Sequence, residues 1–292
     1  MKMQSLHLKK YSILAIFVIS IVCLKAQDDE KDKRPVTDPF WSNTLIDNQT
    51  SVIPAKKGLQ FVIHHRFGTF ENGLTDLYGI YAPSNIRMGF NYGLTDKLMV
   101  GIGTEKNNKA QEILWKYNIL EQTRSNSMPI TLTYFGNMAI DASDKADFGD
   151  ESQFKSVYRL SYFSQFIVSR KFSDRISLLI APGFIHHNAA DSIYQNQRIT
   201  YTVGGKVNIY NNINLLIEYD NSFSINDVSG TQKEYDPEGN LGFAAEFVSG
   251  THTFQVTLAQ FREIVSQFNH SFNSNTLEDG WCLGFNITVR FY

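Results

Sequence analysis

Trp281-Cys282-Leu283-Gly284-Phe285-Asn286-Ile287-Thr288-Val289-Arg290-Phe291-Tyr292 closes the chain, and its side chains alternate in size and polarity. In an extended strand successive side chains point to opposite faces, so Trp281, Leu283, Phe285, Ile287, Val289 and Phe291 form one apolar face, and Cys282, Gly284, Asn286, Thr288 and Arg290 form a small or polar one. A stave of a transmembrane β-barrel needs this arrangement, with lipid on one side and a polar lumen on the other. The last strand of a soluble sandwich alternates in the same way, so the decision rests on the rest of the chain.

The same period-two pattern runs back to Gly58. Leu59, Phe61, Ile63 and Phe67 oppose Gln60, His64 and Arg66; Ile86, Met88, Phe90 and Tyr92 oppose Arg87, Gly89 and Asn91. Further strands are expected near 98–104, 110–122, 128–138, 154–171, 175–187, 197–208, 213–223, 239–248, 252–262 and 280–292, giving twelve in all. The connections sort by parity. Short polar turns follow Leu94, Thr123, Phe172, Ile209 and Val248, whereas 68–83, 139–153, 188–196, 224–238 and 263–279 are long, and only 105–109 breaks the series. A sandwich has no reason to sort its connections this way, but a barrel with short periplasmic turns and long outer loops does. The expected fold is therefore all-β, an up-and-down antiparallel transmembrane barrel over 58–292. Tyr and Trp at strand ends, such as Tyr92, Trp115 and Tyr219, suit interfacial girdles.

At the other end, Lys2, Lys9 and Lys10 precede an apolar run from Tyr11 to Leu24, and Ala26 offers a small residue for cleavage. Residues 1–26 read as a signal peptide, whose apolar run is too short to span a bilayer as a helix. Val22 stands where a lipobox before Cys23 wants a small residue, which argues against lipidation. Cleavage would remove four lysines and no acid, leaving 23 basic residues against 29 acidic ones, a net charge of −6. Such a chain is a poor nucleic-acid ligand, because neutralising phosphates takes an excess of Lys and Arg. Cys282 alone would remain, so no internal disulfide is expected. Residues 27–57 show neither period and read as a periplasmic lead that hangs free or packs into the barrel mouth through Phe40, Trp41 and Leu45.

His64-His65-Arg66-Phe67-Gly68, Asn85 to Gly93 (N-I-R-M-G-F-N-Y-G), Leu94 to Leu98 (L-T-D-K-L), Gly101-Ile102-Gly103, Pro182 to Asn188 (P-G-F-I-H-H-N) and Gly284 to Ile287, in that order, resemble a known β-barrel family, domain of unknown function 5777. The resemblance covers nearly all of the chain beyond the leader. It implies an exported protein of the bacterial outer membrane and carries over no catalytic or binding residue.

The lumen face read from alternation carries His64, Arg66, Arg87, Glu112, Lys116, Arg159, Lys206, Glu218, Glu246, His252 and Arg290 as candidate solute-lining residues. Charges in a narrow barrel are costly unless paired, so Arg66, Arg87, Arg159 and Arg290 are expected to bridge Glu112, Glu218 and Glu246. A surplus of cations would instead draw anionic solutes. The His64-His65 and His186-His187 pairs invite a metal, but strand neighbours face opposite ways and no ligand spacing accompanies them; no metal or cofactor is expected. Asp220 and Ser222 with His270 could serve an enzyme, yet no nucleophile-elbow or metalloprotease motif is present. The acidic stretch 139–153 departs from a calcium loop. Two functions follow: a narrow or plugged channel for small polar or anionic solutes in contact with outer-membrane lipid, or a structural component anchoring periplasmic or surface partners.

Overall fold

The computed structural model describes residues 32–37, 39–189, 196–225, 237–276 and 280–292; the expected leader, 1–26, lies outside them. Twelve strands alternate inward and outward along nearly their whole length: β1 (Leu59–Thr69), β2 (Asn85–Gly93), β3 (Leu98–Glu105), β4 (Gln111–Leu120), β5 (Thr131–Ile140), β6 (Leu160–Lys171), β7 (Ile176–His187), β8 (Gln197–Tyr210), β9 (Ile213–Ser224), β10 (Asn240–Ser249), β11 (His252–Ala259) and β12 (Cys282–Phe291). Each pairs antiparallel with its neighbours in sequence, and β1 closes on β12 with Leu59 opposite Phe291 and Ile63 opposite Ile287. Closure leaves no strand edge unpaired, which is the condition for crossing a bilayer with strands. Phe90, Ile102, Ile113, Val203, Ile217 and Val256 are exposed on the outside, whereas Asn91, Glu112, Thr202, Glu218 and Gln255 are buried on the inside.

Most connections divide between the two ends as expected, with 94–97, 172–175, 211–212 and 250–251 short at one end and 70–84 and 141–159 long at the other, but the link expected as a short turn after Thr123 spans 121–130, and 106–110 is short on the long side. Two strand starts differ from the sequence reading. β5 begins at Thr131 rather than 128, since Pro129 has no N–H to give the ladder. β6 begins at Leu160 rather than 154, because 151–153 and 156–159 wind into short 3₁₀ turns, the first capped by the Asp150 carboxylate accepting from Ser152 N.

The lead does not hang free. Pro35 bridges Thr123 on the turn side, and from Phe40 the chain enters the lumen and folds back on itself. Thr44 and Gln49 form the rungs of a small hairpin, with Leu45 N donating to Asn48 O at 2.8 Å and Thr50 N to Asn43 O at 2.9 Å. The chain then leaves by Val52 and Ile53 and turns at Gly58 into β1. Ser42 to Ser51 are all buried. Nor is the lumen uniformly polar: Leu45 and Ile46 of the hairpin share a core with inward-facing Met99, Leu114, Phe135, Phe163, Ile167, Leu179 and Leu216. Burying two such side chains contributes about 1.5–3 kcal/mol each. Gly204 on β8 makes room for them, since a Cβ there would stand 2.4 Å from Leu45 Cδ2.

From the loop side a helix, α1 (Ser266–Phe272), folds inward, with Ser266 to Ser271 all buried. Hairpin and helix together occupy the lumen from opposite ends.

Two substitutions separate the outside of the wall from the inside. Ile102→Arg places a charge on the lipid face mid-strand and is expected to cost about 2–4 kcal/mol of stability in lipid, measured by reversible unfolding into vesicles, with Ile102→Val near neutral. Gly204→Val is expected to leave the barrel closed, shown by heat-modifiable gel mobility, while exposing the hairpin to added protease.

Candidate functional site

The wall meets the hairpin with charges and amides. A short polar hairpin inside a barrel carries backbone groups that no sheet neighbour satisfies, and each one left buried and unpaired costs about 1–3 kcal/mol. Glu218 on β9 takes three of them: its Oε1 accepts from Asp47 N at 3.0 Å and Asn48 N at 3.1 Å, and its Oε2 from Ile46 N at 3.2 Å. Lys116 on β4 is its counterpart for carbonyls, donating from Nζ to Asn43 O at 3.0 Å, Thr50 O at 2.8 Å and Val52 O at 3.0 Å. Arg66 on β1 pairs with Asp47 at 2.5 Å, both buried, and Asn286 on β12 donates to Ile46 O at 2.8 Å. Lys206 lies 6.0 Å and 5.8 Å from the ring centres of Phe40 and Trp41, and Arg290 donates to Trp41 O. The hairpin is thus held along its length by groups from β1, β4, β8, β9 and β12.

Two other wall carboxylates, Glu112 and Glu246, keep to the wall. Glu112 pairs with Arg87 and accepts from Asn137, and Glu246 accepts from Asn214 at 2.8 Å and Gln255 at 3.0 Å. The expected bridging of Arg66 and Arg290 to Glu218 and Glu246 is therefore replaced: Arg66, Arg290 and Glu218 turn to the hairpin, and of the expected bridges only Arg87 to Glu112 forms. His64 Nε2 sits 3.3 Å from Thr44 Oγ1.

Two of the residues assigned to the lumen by alternation are elsewhere. Arg159 precedes β6 in a 3₁₀ turn, where its guanidinium donates to Asp141 O and Ser143 O and stacks 5.1 Å and 5.0 Å from the Phe148 and Phe154 ring centres. Its strand parity fails because the strand starts after it. His252 opens β11 on the outward face with Phe254, their rings 5.8 Å apart, while Thr253, Gln255 and Thr257 point inward. The histidine pairs split across the wall as strand geometry requires: His64 and His187 are buried inside, His186 stacks on Tyr162. Among the described residues no three His, Cys, Asp or Glu side chains gather to hold a metal.

At the loop end, the Glu105 carboxylate accepts from Ile264 N at 2.8 Å and Val265 N at 3.2 Å, fixing the start of α1. Beside it Glu263 accepts from Asn107 at 2.8 Å, and burial pushes the Glu263 carboxyl above its ordinary value. Within α1, His270 Nδ1 lies 3.2 Å from Asp220 Oδ1 without aligning for a hydrogen bond, and its Nε2 is 3.1 Å from Asn48 Oδ1 of the hairpin. Ser222 is close, but its Oγ donates to the backbone carbonyl of His270, 2.5 Å away, rather than to the imidazole. Imidazole and hydroxyl are not set up as base and nucleophile, which require a direct hydrogen bond between them.

Alternation could have found Asn286, Asp220 and Thr202, all at inward parity; the hairpin residues carry no periodic signal at all.

No curated protein matches the sequence. Among solved structures the chain is similar to an outer membrane channel from Pseudomonas putida F1, at 11% identity and a TM-score of 0.49 over 82% of this chain and 97% of that one. It is similar also to the KdgM porin, at 7% identity and a TM-score of 0.48, and to the NanC porin, at 9% and 0.47, each over 80% of this chain and 99% of the other. The family described as membrane bound beta barrel domain matches residues 40–291, a span that takes in both the twelve strands and the hairpin. The chain belongs to that family, domain of unknown function 5777, and is a membrane-bound β-barrel.

Proposed function

We propose that the protein is a narrow channel for small polar solutes, held closed by its own N-terminal hairpin. The observation that supports this most is the composition of the buried segment: from Ser42 to Ser51 the chain is S-N-T-L-I-D-N-Q-T-S, polar at eight of ten positions, inside a wall that is mostly polar. A plug seated by hydrogen bonds can exchange them for water, because each such bond contributes only about 0.5–1.5 kcal/mol net. An apolar plug would have to expose its whole surface to leave, whereas here only Leu45 and Ile46 would be bared from the core they share with the wall.

The wall also keeps polar atoms that the hairpin does not reach. Among the described residues Gln60 Oε1, Gln165 Oε1, Thr200 Oγ1 and Thr257 Oγ1 are buried without a protein partner. Buried acceptors of this kind call for water or a polar ligand. Inward cations (Arg66, Arg87, Lys116, Arg198, Lys206 and Arg290) stand against inward carboxylates (Glu105, Glu112, Glu218, Asp220 and Glu246) in near balance. The opened lumen would accordingly favour anions only weakly, and small neutral polar solutes fit it as well.

A second reading, an anchor for periplasmic or surface partners, draws support from the occupation of the lumen at both ends and from the lead laid across the turn-side mouth, where Lys171 Nζ donates to Thr37 O at 3.0 Å. Planar-bilayer recording distinguishes the two. The full-length protein is expected to be silent or to flicker, and a variant lacking residues 40–53 to give a steady conductance with little ion selectivity. Silence from both would leave the anchor.

Asp47→Ala removes one member of a buried pair and strands Arg66, a change that costs about 3–5 kcal/mol. That cost falls on the plugged state, so open events in Asp47→Ala are expected to be far more frequent than in the parent, with Asp47→Asn intermediate.

A further inference from the structure

The two plugs touch, and one side chain joins them. Asn48 at the hairpin tip donates from Nδ2 to Glu218 Oε1 at 3.0 Å and Asp220 Oδ2 at 2.8 Å, while its Oδ1 accepts from Thr202 Oγ1 at 3.1 Å and faces His270 Nε2 of α1 at 3.1 Å. Asp220 in turn faces the same imidazole from the wall. The amide gives both its donors to the wall, and its oxygen stands between Thr202 of the wall and His270 of the helix, so withdrawal of the helix removes the one contact of this side chain that lies across the lumen. The helix end of the arrangement mirrors the hairpin end: Glu218 accepts the backbone N–H groups of one plug, Glu105 those of the other. Each plug therefore has its own anchor in the wall, and they share a contact at mid-lumen.

Resting on the plugged-barrel reading, we infer that Asn48 and His270 couple the two plugs, so that withdrawal of α1 on the loop side loosens the hairpin that seals the turn side. The protein then passes information across the membrane: what moves the outer loop 260–281 sets the accessibility of the lead on the opposite face. Coupling of this kind is reciprocal, and release of the hairpin must loosen the helix by the same factor.

The test uses the full chain in lipid vesicles, with Cys23→Ala and Cys282→Ala to remove both native thiols and Ser51→Cys as a reporter at the turn-side end of the hairpin. The readout is the rate of reaction with a water-soluble maleimide, and heat-modifiable mobility verifies that each variant is folded. His270→Ala is expected to speed labelling about tenfold, the effect of losing roughly one well-made buried hydrogen bond. Added to Asn48→Ala it should bring little further increase, since both remove one shared link. Glu105→Ala, which frees the helix from its far end and touches no hairpin residue, should also speed labelling and serves if His270→Ala does not fold. Unchanged labelling in folded His270→Ala and Glu105→Ala, or effects of His270→Ala and Asn48→Ala that simply multiply, would overturn the coupling. Labelling reports coupling whether or not ions pass, so a silent deletion variant in the bilayer overturns only the channel.

Discussion

Three backbone N–H groups at the tip of a buried hairpin converge on one carboxylate, Glu218, and the state of the lumen depends on that convergence. Inside a wall of strands the hairpin has no sheet neighbour for its tip, and the two oxygens of one carboxyl group together accept from all three amides. Lys116 answers for the carbonyls what Glu218 answers for the amides. A lone lysine or glutamate in a narrow lumen would be expensive to keep; each is instead the complement of a strip of main chain. The charges inside this barrel belong to the plug as much as to the wall.

This changes what the inward residues mean. Read from sequence as candidate pore lining, Arg66, Lys116, Lys206, Glu218 and Arg290 all contact or face the hairpin, while Arg87, Glu112 and Glu246 are satisfied within the wall. The former set would be bared by opening and the latter would not. Selectivity of an opened lumen would therefore be set by a group of mixed sign, and the rest would hold the barrel's shape.

The barrel was legible because its physics is periodic. A period of two, sustained from Leu59 to Phe291, and connections sorted by end, specify strand number and facing with little else needed. The reading failed where that period had no hold. Arg159 looked inward only while its strand was taken to start at 154, and the Asp150 cap that ends the loop later than expected is a local side-chain to backbone bond invisible to alternation. His252 is a different case: it shares the parity of Phe254, Val256 and Leu258, so alternation carried back from the middle of its strand places it outside, and the lumen assignment did not follow that parity. The hairpin is the larger case: Asn43 to Thr50 are ordinary loop residues, and their burial arises from wall groups as far off in sequence as Glu218 and Asn286. Phe40, Trp41 and Leu45 hinted that the lead packs somewhere, but nothing local told how deep. The meeting of Asn48 with His270, 222 positions apart, is likewise a product of closure.

Amide hydrogen exchange of the protein in lipid tests the central claim most directly. A seated hairpin predicts that the amides of Ile46, Asp47 and Asn48 exchange as slowly as those of the neighbouring strand β9. Exchange of these three at the rate of an unstructured peptide, with β9 still protected, would contradict it: the lumen would then be open and the lead outside.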